Sequence, residues 1–164
     1  AMEPRASTPT KRLEAMRELS QAGIPTSGMV APVIPGLNDH EIEALAKAAA
    51  AHGATTAGYI VLRLPLEGRD VFVEWLHSYY PGRAGRVMRY VREVHGGRDY
   101  DPEWGKRLSG QGVYADMLRR RFVRAARAEG LKVERAPLRT DLFSRPASPT
   151  PQLSFLKELT TTDP

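Results

Sequence analysis

The chain has 164 residues and a mass of 18.2 kDa, with 41% hydrophobic and 26% charged residues and a formal net charge of +5. That length suits about one domain and buries about 70% of the surface its unfolded form would expose. Cysteine is absent, which excludes disulfides, thiolate zinc sites, a cysteine nucleophile and a cysteine-held iron–sulfur cluster on this chain.

Along the chain, Thr8 can cap a helix with Pro9 in its first position, where the missing N–H costs nothing. Leu13, Met16 and Leu19 follow at helical spacing, so an amphipathic helix is predicted over 8–22, closed by a left-handed Gly23. The run IPTSGMVAPVI over 24–34 is mostly apolar and fits a strand buried on both faces, as in a parallel sheet. Pro25 and Pro32 confine the strand proper to about 27–31. A Pro35-Gly36-Leu37 turn leads to Asn38 as an N-cap, with Glu41 three residues on to complete a capping box. The helix it opens runs through Ala51 on an Ile42, Leu45, Ala46 and Ala49 face and closes at Gly53.

TTAGYIVLRL over 55–64 reads as a second strand, rich in β-branched and aromatic residues. Helices then take over, at 71–80 and 84–95, separated by Pro81-Gly82. A glycine-containing loop over 97–112 leads to a long basic helix over 113–129, and Leu131-Lys132-Val133 reads as a strand end. From 134 the Pro, Ser and Thr content argues for a flexible tail, with a turn of helix over 153–159. The helix–strand–helix–strand order is that of an α/β fold with right-handed crossovers. Two strands make too small a sheet, so we expect later β/α units of a barrel over 1–70, a helical extension over 71–133 and a tail over 134–164. A missing N-terminal barrel half is the expected partner, and an exposed sheet edge would favour self-association.

In β/α folds, ligands bind at the carboxyl ends of strands. One such end carries Val30, Ala31, Pro32, Pro35, Gly36 and Asn38, where a glycine turn meets a helix N-terminus. A simple capped turn is the alternative. The other end carries Arg63, suited either to an anion or to a structural pair with Glu67 or an acid elsewhere. Glu3 and Arg5 lie where a preceding strand would end; a frayed terminus is the alternative. His40, His52, His77 and His95 have no metal-motif spacing and read as surface or helix-end residues. Tyr100, Trp104 and Tyr114 are either helix anchors or base-stacking rings.

Arg119, Arg120, Arg121, Arg124, Arg127 and Lys132 form a basic cluster against only Asp116 and Glu129. It is either a solvated helix face or a contact for phosphates. No apolar run approaches the ~20 residues of a membrane span, and AMEPRASTPTKR has no apolar signal region, so a cytoplasmic location without membrane contact is expected.

The runs EPRASTPTKRLEAMRELSQAGIPTSGMVAPVIPGLND and LRLPLEGRDVFVEWLHSYYPGRAGRVM, with GGRDYDPEWGKR and GQGVYADMLRRRF, carry a family likeness over about 2–130. They resemble the later barrel segment and C-terminal part of radical S-adenosylmethionine enzymes, in the group related to spore photoproduct lyase. The resemblance implies a partial, TIM-like (β/α) barrel with a [4Fe–4S] cluster on an N-terminal cysteine triplet. It implies S-adenosylmethionine on that cluster, and hydrogen abstraction by a 5′-deoxyadenosyl radical, on nucleic acid in its lyase relatives. The strand end over 30–35 would contact adenine, Glu3 and Arg5 would lie near the cosubstrate, and Arg63 would line the mouth. The family's CxxxCxxC is missing, so this chain is expected to be a C-terminal fragment that is not catalytic alone. A basic nucleic-acid-binding module and a non-catalytic remnant are the alternatives.

Overall fold

A computed structural model describes residues 5–134, together with 140, 141, 143 and 144. Glu3, and most of the tail including 153–159, lie outside the described residues. The fold is mixed α/β. Five helices surround a sheet of two parallel strands, β1 (Ser27–Val33) and β2 (Thr56–Val61).

Helix α1 (Pro9–Gln21) starts as its sequence requires, with the Thr8 hydroxyl accepting from the Lys11 N–H at 3.4 Å and Pro9 in the first turn. Gly23 follows with φ +78°, the left-handed conformation that ends a helix cheaply. No residue of α1 is buried, although Leu13 and Met16 are partly covered. Its far end is tied down by the Ser20 hydroxyl, which donates to the Gly53 carbonyl at 3.1 Å.

Strand β1 runs two residues beyond its expected end, through Pro32 to Val33. Its ladder with β2 pairs Ser27 to Val30 in regular register and then slips before Val33 meets Val61. Pro32 has no N–H to give, and the slip spares it from needing one. The Ala31–Pro32 peptide is cis.

Helix α2 (Ile42–Ala51) follows a 3-10 turn, Asp39–Glu41. The expected capping box does not form: neither Asn38 nor Glu41 makes a side-chain cap bond. Asn38 is drawn to the strand instead, where it accepts from the Ile34 N–H at 2.7 Å and donates to the Pro32 carbonyl at 3.1 Å. Two irregular backbone groups at a strand end outcompete a cap whose donors the 3-10 turn partly serves.

Strand β2 is shorter than expected. Beyond Val61 the chain bends, and Leu62 and Leu64 enter a separate apolar cluster with the hairpin of α3 (Gly68–Tyr79) and α4 (Pro81–Val94). Pro81 ends one helix and starts the other, in the position where proline fits. Helix α5 (Gly112–Ala128) presents Ala115, Leu118, Phe122, Ala125 and Ala126 to α2 and to one face of the sheet, where Val33, Ile42, Ala57 and Val61 complete the main core.

The far edge of β2 is covered. Ala57 donates to the Lys132 carbonyl at 2.8 Å and Lys132 donates back to Thr55 at 3.1 Å, so Lys132 bridges in parallel as a third strand would. Nearer the other end, Val61 donates to Leu108 at 2.9 Å. Among the described residues no strand pairs with the outer edge of β1. Ser27, Met29 and Ala31 on its second face are exposed, Met29 at 49%.

Candidate functional site

The carboxyl end of β1 separates two depressions, and Ala31, Pro32 and Asn38 line both. The first is a mostly apolar groove of about 430 Å³ along β1 between α1 and α2, reached by Arg12, Met16, Val30, Leu45 and Ala49. The second is a cleft of about 540 Å³ turned towards the α3–α4 hairpin, bordered by His40, Glu41, Trp75, Tyr80 and Arg83. Both volumes lie in the range of small-ligand sites. Val30, Ala31, Pro32 and Asn38 of the expected set therefore meet at one place.

Pro35 and Gly36 sit behind this surface. Pro35 is fully buried. Gly36, with φ +74°, turns against the Tyr90 ring: a Cβ there would lie 2.7 Å from Tyr90 Cδ2. Its N–H donates to the Asp39 carboxylate at 3.2 Å, and the same carboxylate accepts from the Tyr114 hydroxyl. Burial, with that bond to Asp39, pushes the Tyr114 phenol well above its ordinary pKa. Tyr114 stacks on Tyr90 with centroids 4.5 Å apart, so one buried carboxylate ties the turn to α4 and α5. The close backbone approach that glycine permits is made to a tyrosine of the fold.

Arg63 lines neither depression. Its guanidinium donates to the Tyr100 hydroxyl at 3.2 Å and lies 5.7 Å from that ring's centroid, so its partner is Tyr100 rather than Glu67. Arg5 is exposed ahead of α1. His95, expected at a surface or helix end, does cap α4 but is only 1% exposed, and its Nε2 lies 2.8 Å from the Leu62 carbonyl. Tyr100 and Tyr114 are anchors, whereas Trp104 is 82% exposed under the Arg107 guanidinium.

The arginines of α5 divide by partner. Arg121 grips Glu43 of α2 with two bonds of 3.0 and 2.8 Å, and that bond lowers the Glu43 pKa. Arg119 pairs with Asp116 at 2.6 Å. Arg120, Arg124 and Arg127 have no salt-bridge partner among the described residues. With Arg119 and Val123 they border an open groove of about 640 Å³.

Trp75, Tyr80, Arg83 and His40 were not singled out by spacing. Trp75 lies on α3 and Tyr80 at its junction with α4, and the α3–α4 hairpin brings them to the strand end. Among the described residues no group of three His, Asp or Glu is placed to hold a metal, and no helix is long and apolar enough to cross a membrane. Comparison with protein-family models, curated proteins and solved structures finds no match.

Proposed function

We propose that this chain is one arc of a larger β/α barrel enzyme of the radical S-adenosylmethionine kind, furnishing part of the cosubstrate's seat. The observation that carries this reading is the open sheet. Parallel segments lie side by side in chain order, β1, β2 and Lys132, with α2 and α5 on one face and, among the described residues, no strand on the outer edge of β1. Parallel sheets are normally covered on both faces and need more strands than this. Helix α1, with no buried residue, has the form of a crossover whose own strand lies elsewhere, in an N-terminal barrel half that would be the partner.

The residues present do not fit an iron–sulfur cluster, because the chain has no thiolate to offer. The fit to S-adenosylmethionine is better. Val30, Ala31, Pro32 and Asn38 give the groove along β1 an apolar wall and a side-chain amide, suited to an adenine edge. In the family, the bound cosubstrate supplies the radical; these residues would bind and orient its adenosine end. Reading the coding sequence upstream of Met2 tests the proposal. An in-frame CxxxCxxC followed by β/α segments is the expected result, and a stop codon directly upstream withdraws it.

A second reading, a nucleic-acid-binding surface, is favoured by Arg120, Arg124 and Arg127 at i, i+4 and i+7 on one face of α5. Binding through phosphates falls steeply with salt. Gel retardation of single- and double-stranded DNA and RNA at low and physiological salt checks it; no shift at low salt rejects it.

A further inference from the structure

We infer that the cleft between the end of β1 and the α3–α4 hairpin is a binding site for a nucleoside monophosphate. It lies on the α3–α4 side of the strand end and shares Ala31, Pro32 and Asn38 with the α1–α2 groove assigned to the cosubstrate, but the residues that select its ligand, Glu41, Trp75, Tyr80 and Arg83, line this cleft alone.

Three features select the ligand. The first is an aromatic wall. Tyr80 is 40% exposed at the junction of α3 and α4, and its ring centroid lies 5.5 Å from that of Trp75. With Ala31, Pro32 and Ile34 this gives a planar base an apolar and aromatic bed. The second is how firmly that wall is held. Trp75 also lines the cleft and packs against Phe72 and Tyr79 of α3, with ring centroids 5.8 and 5.7 Å away. The third is charge. Arg83 lines the cleft with no salt-bridge partner among the described residues, and its planar fork suits a phosphate. Glu41, which also lines the cleft, repels an anion placed beside it but accepts well from ribose hydroxyls. Ring, hydroxyl and phosphate are thus all matched by one ligand class. A free aromatic carboxylate leaves Glu41 without a role, and inorganic phosphate leaves the aromatic wall unused.

The experiment is a titration of the full chain carrying Trp104→Phe, which leaves Trp75 as its one indole. Adenosine monophosphate, adenosine, inorganic phosphate and S-adenosylmethionine are added in turn, with calorimetry alongside fluorescence. The monophosphate is expected to bind saturably and about tenfold or more tighter than adenosine. Arg83→Gln should erase that difference, and Trp75→Phe, followed by calorimetry, should weaken binding several-fold. Arg83 is exposed in the first turn of α4, so its variant should melt like the parent. Absence of saturable binding overturns the proposal. So does equal affinity for nucleoside and nucleotide, or binding of inorganic phosphate as tight as that of the nucleotide. Binding of S-adenosylmethionine without the monophosphate also overturns it while supporting the cosubstrate reading. Binding of the monophosphate alone upholds it and counts against that reading.

Discussion

Asp39 shows how much of this strand end depends on one side chain. Its carboxylate receives the Gly36 N–H and the Tyr114 hydroxyl while almost fully buried. Removing the phenol leaves a buried charge short of a donor, so Tyr114→Phe should cost about 2 kcal/mol in urea unfolding. Tyr90→Phe keeps the stacked ring and should change stability by less than about 0.5 kcal/mol. Gly36→Ala meets two penalties, a left-handed backbone and the Tyr90 ring, and should cost about 2 kcal/mol or more in the same assay. Asp99 supplies a pH-dependent counterpart. It accepts from Arg69 of α3 at 2.8 Å and from Arg92 of α4 at 2.6 Å, and the Arg69 bond chiefly holds its pKa below the usual carboxylate value. A lowered folded pKa stabilises fully above the unfolded value of about 3.9 and is lost as pH falls through the folded one. Asp99→Asn should therefore lower the melting temperature at pH 7 and flatten its decline below about pH 4.

The helices were legible because their punctuation is local. Thr8-Pro9, Gly23 and Gly53 mark starts and stops that need no tertiary information, whereas Pro81-Gly82, read as a break before a helix at 84, lies inside the first turn of α4. The second strand was overread because its apolar run continues past the sheet: Leu62 and Leu64 are buried, but under α3 and α4. Residue type reports burial and not which neighbour provides it. The same limit hid the cleft, whose Trp75, Tyr80 and Arg83 come from a hairpin with no signature of ligand binding. Ala31, Pro32 and Asn38 were found because strand ends in β/α folds are a positional rule. On α5 the run of arginines was visible, but that Arg121 belongs to the paired members with Arg119 depends on Glu43 of α2. That division is testable: Arg121→Ala should lower stability slightly, by up to about 1 kcal/mol, without altering any salt-dependent retention on nucleic acid. Alanines at 120, 124 and 127 should do the reverse.

The sheet as a unit is asymmetric. One edge of β2 is closed by Lys132 and Leu108, whereas the outer edge of β1 borders an apolar groove. Open edges of this kind recruit further chains. Sedimentation at increasing concentration should show reversible association, and Met29→Lys, placing a charge on the bare face, should suppress it.

The bridge between Ala57 and Lys132 carries one more consequence, for the order in which the molecule is made. During synthesis β1, α2 and β2 leave the ribosome well before the partner that closes the second edge of β2. Until α3, α4 and α5 have followed, the Ala57 amide has water as its acceptor. Loop closure across so long an intervening segment carries an entropic cost, which the packing of α5 on the sheet must offset. The Ala57 amide proton should therefore exchange with solvent only through openings that detach the end of α5, making it a reporter of the last assembly step.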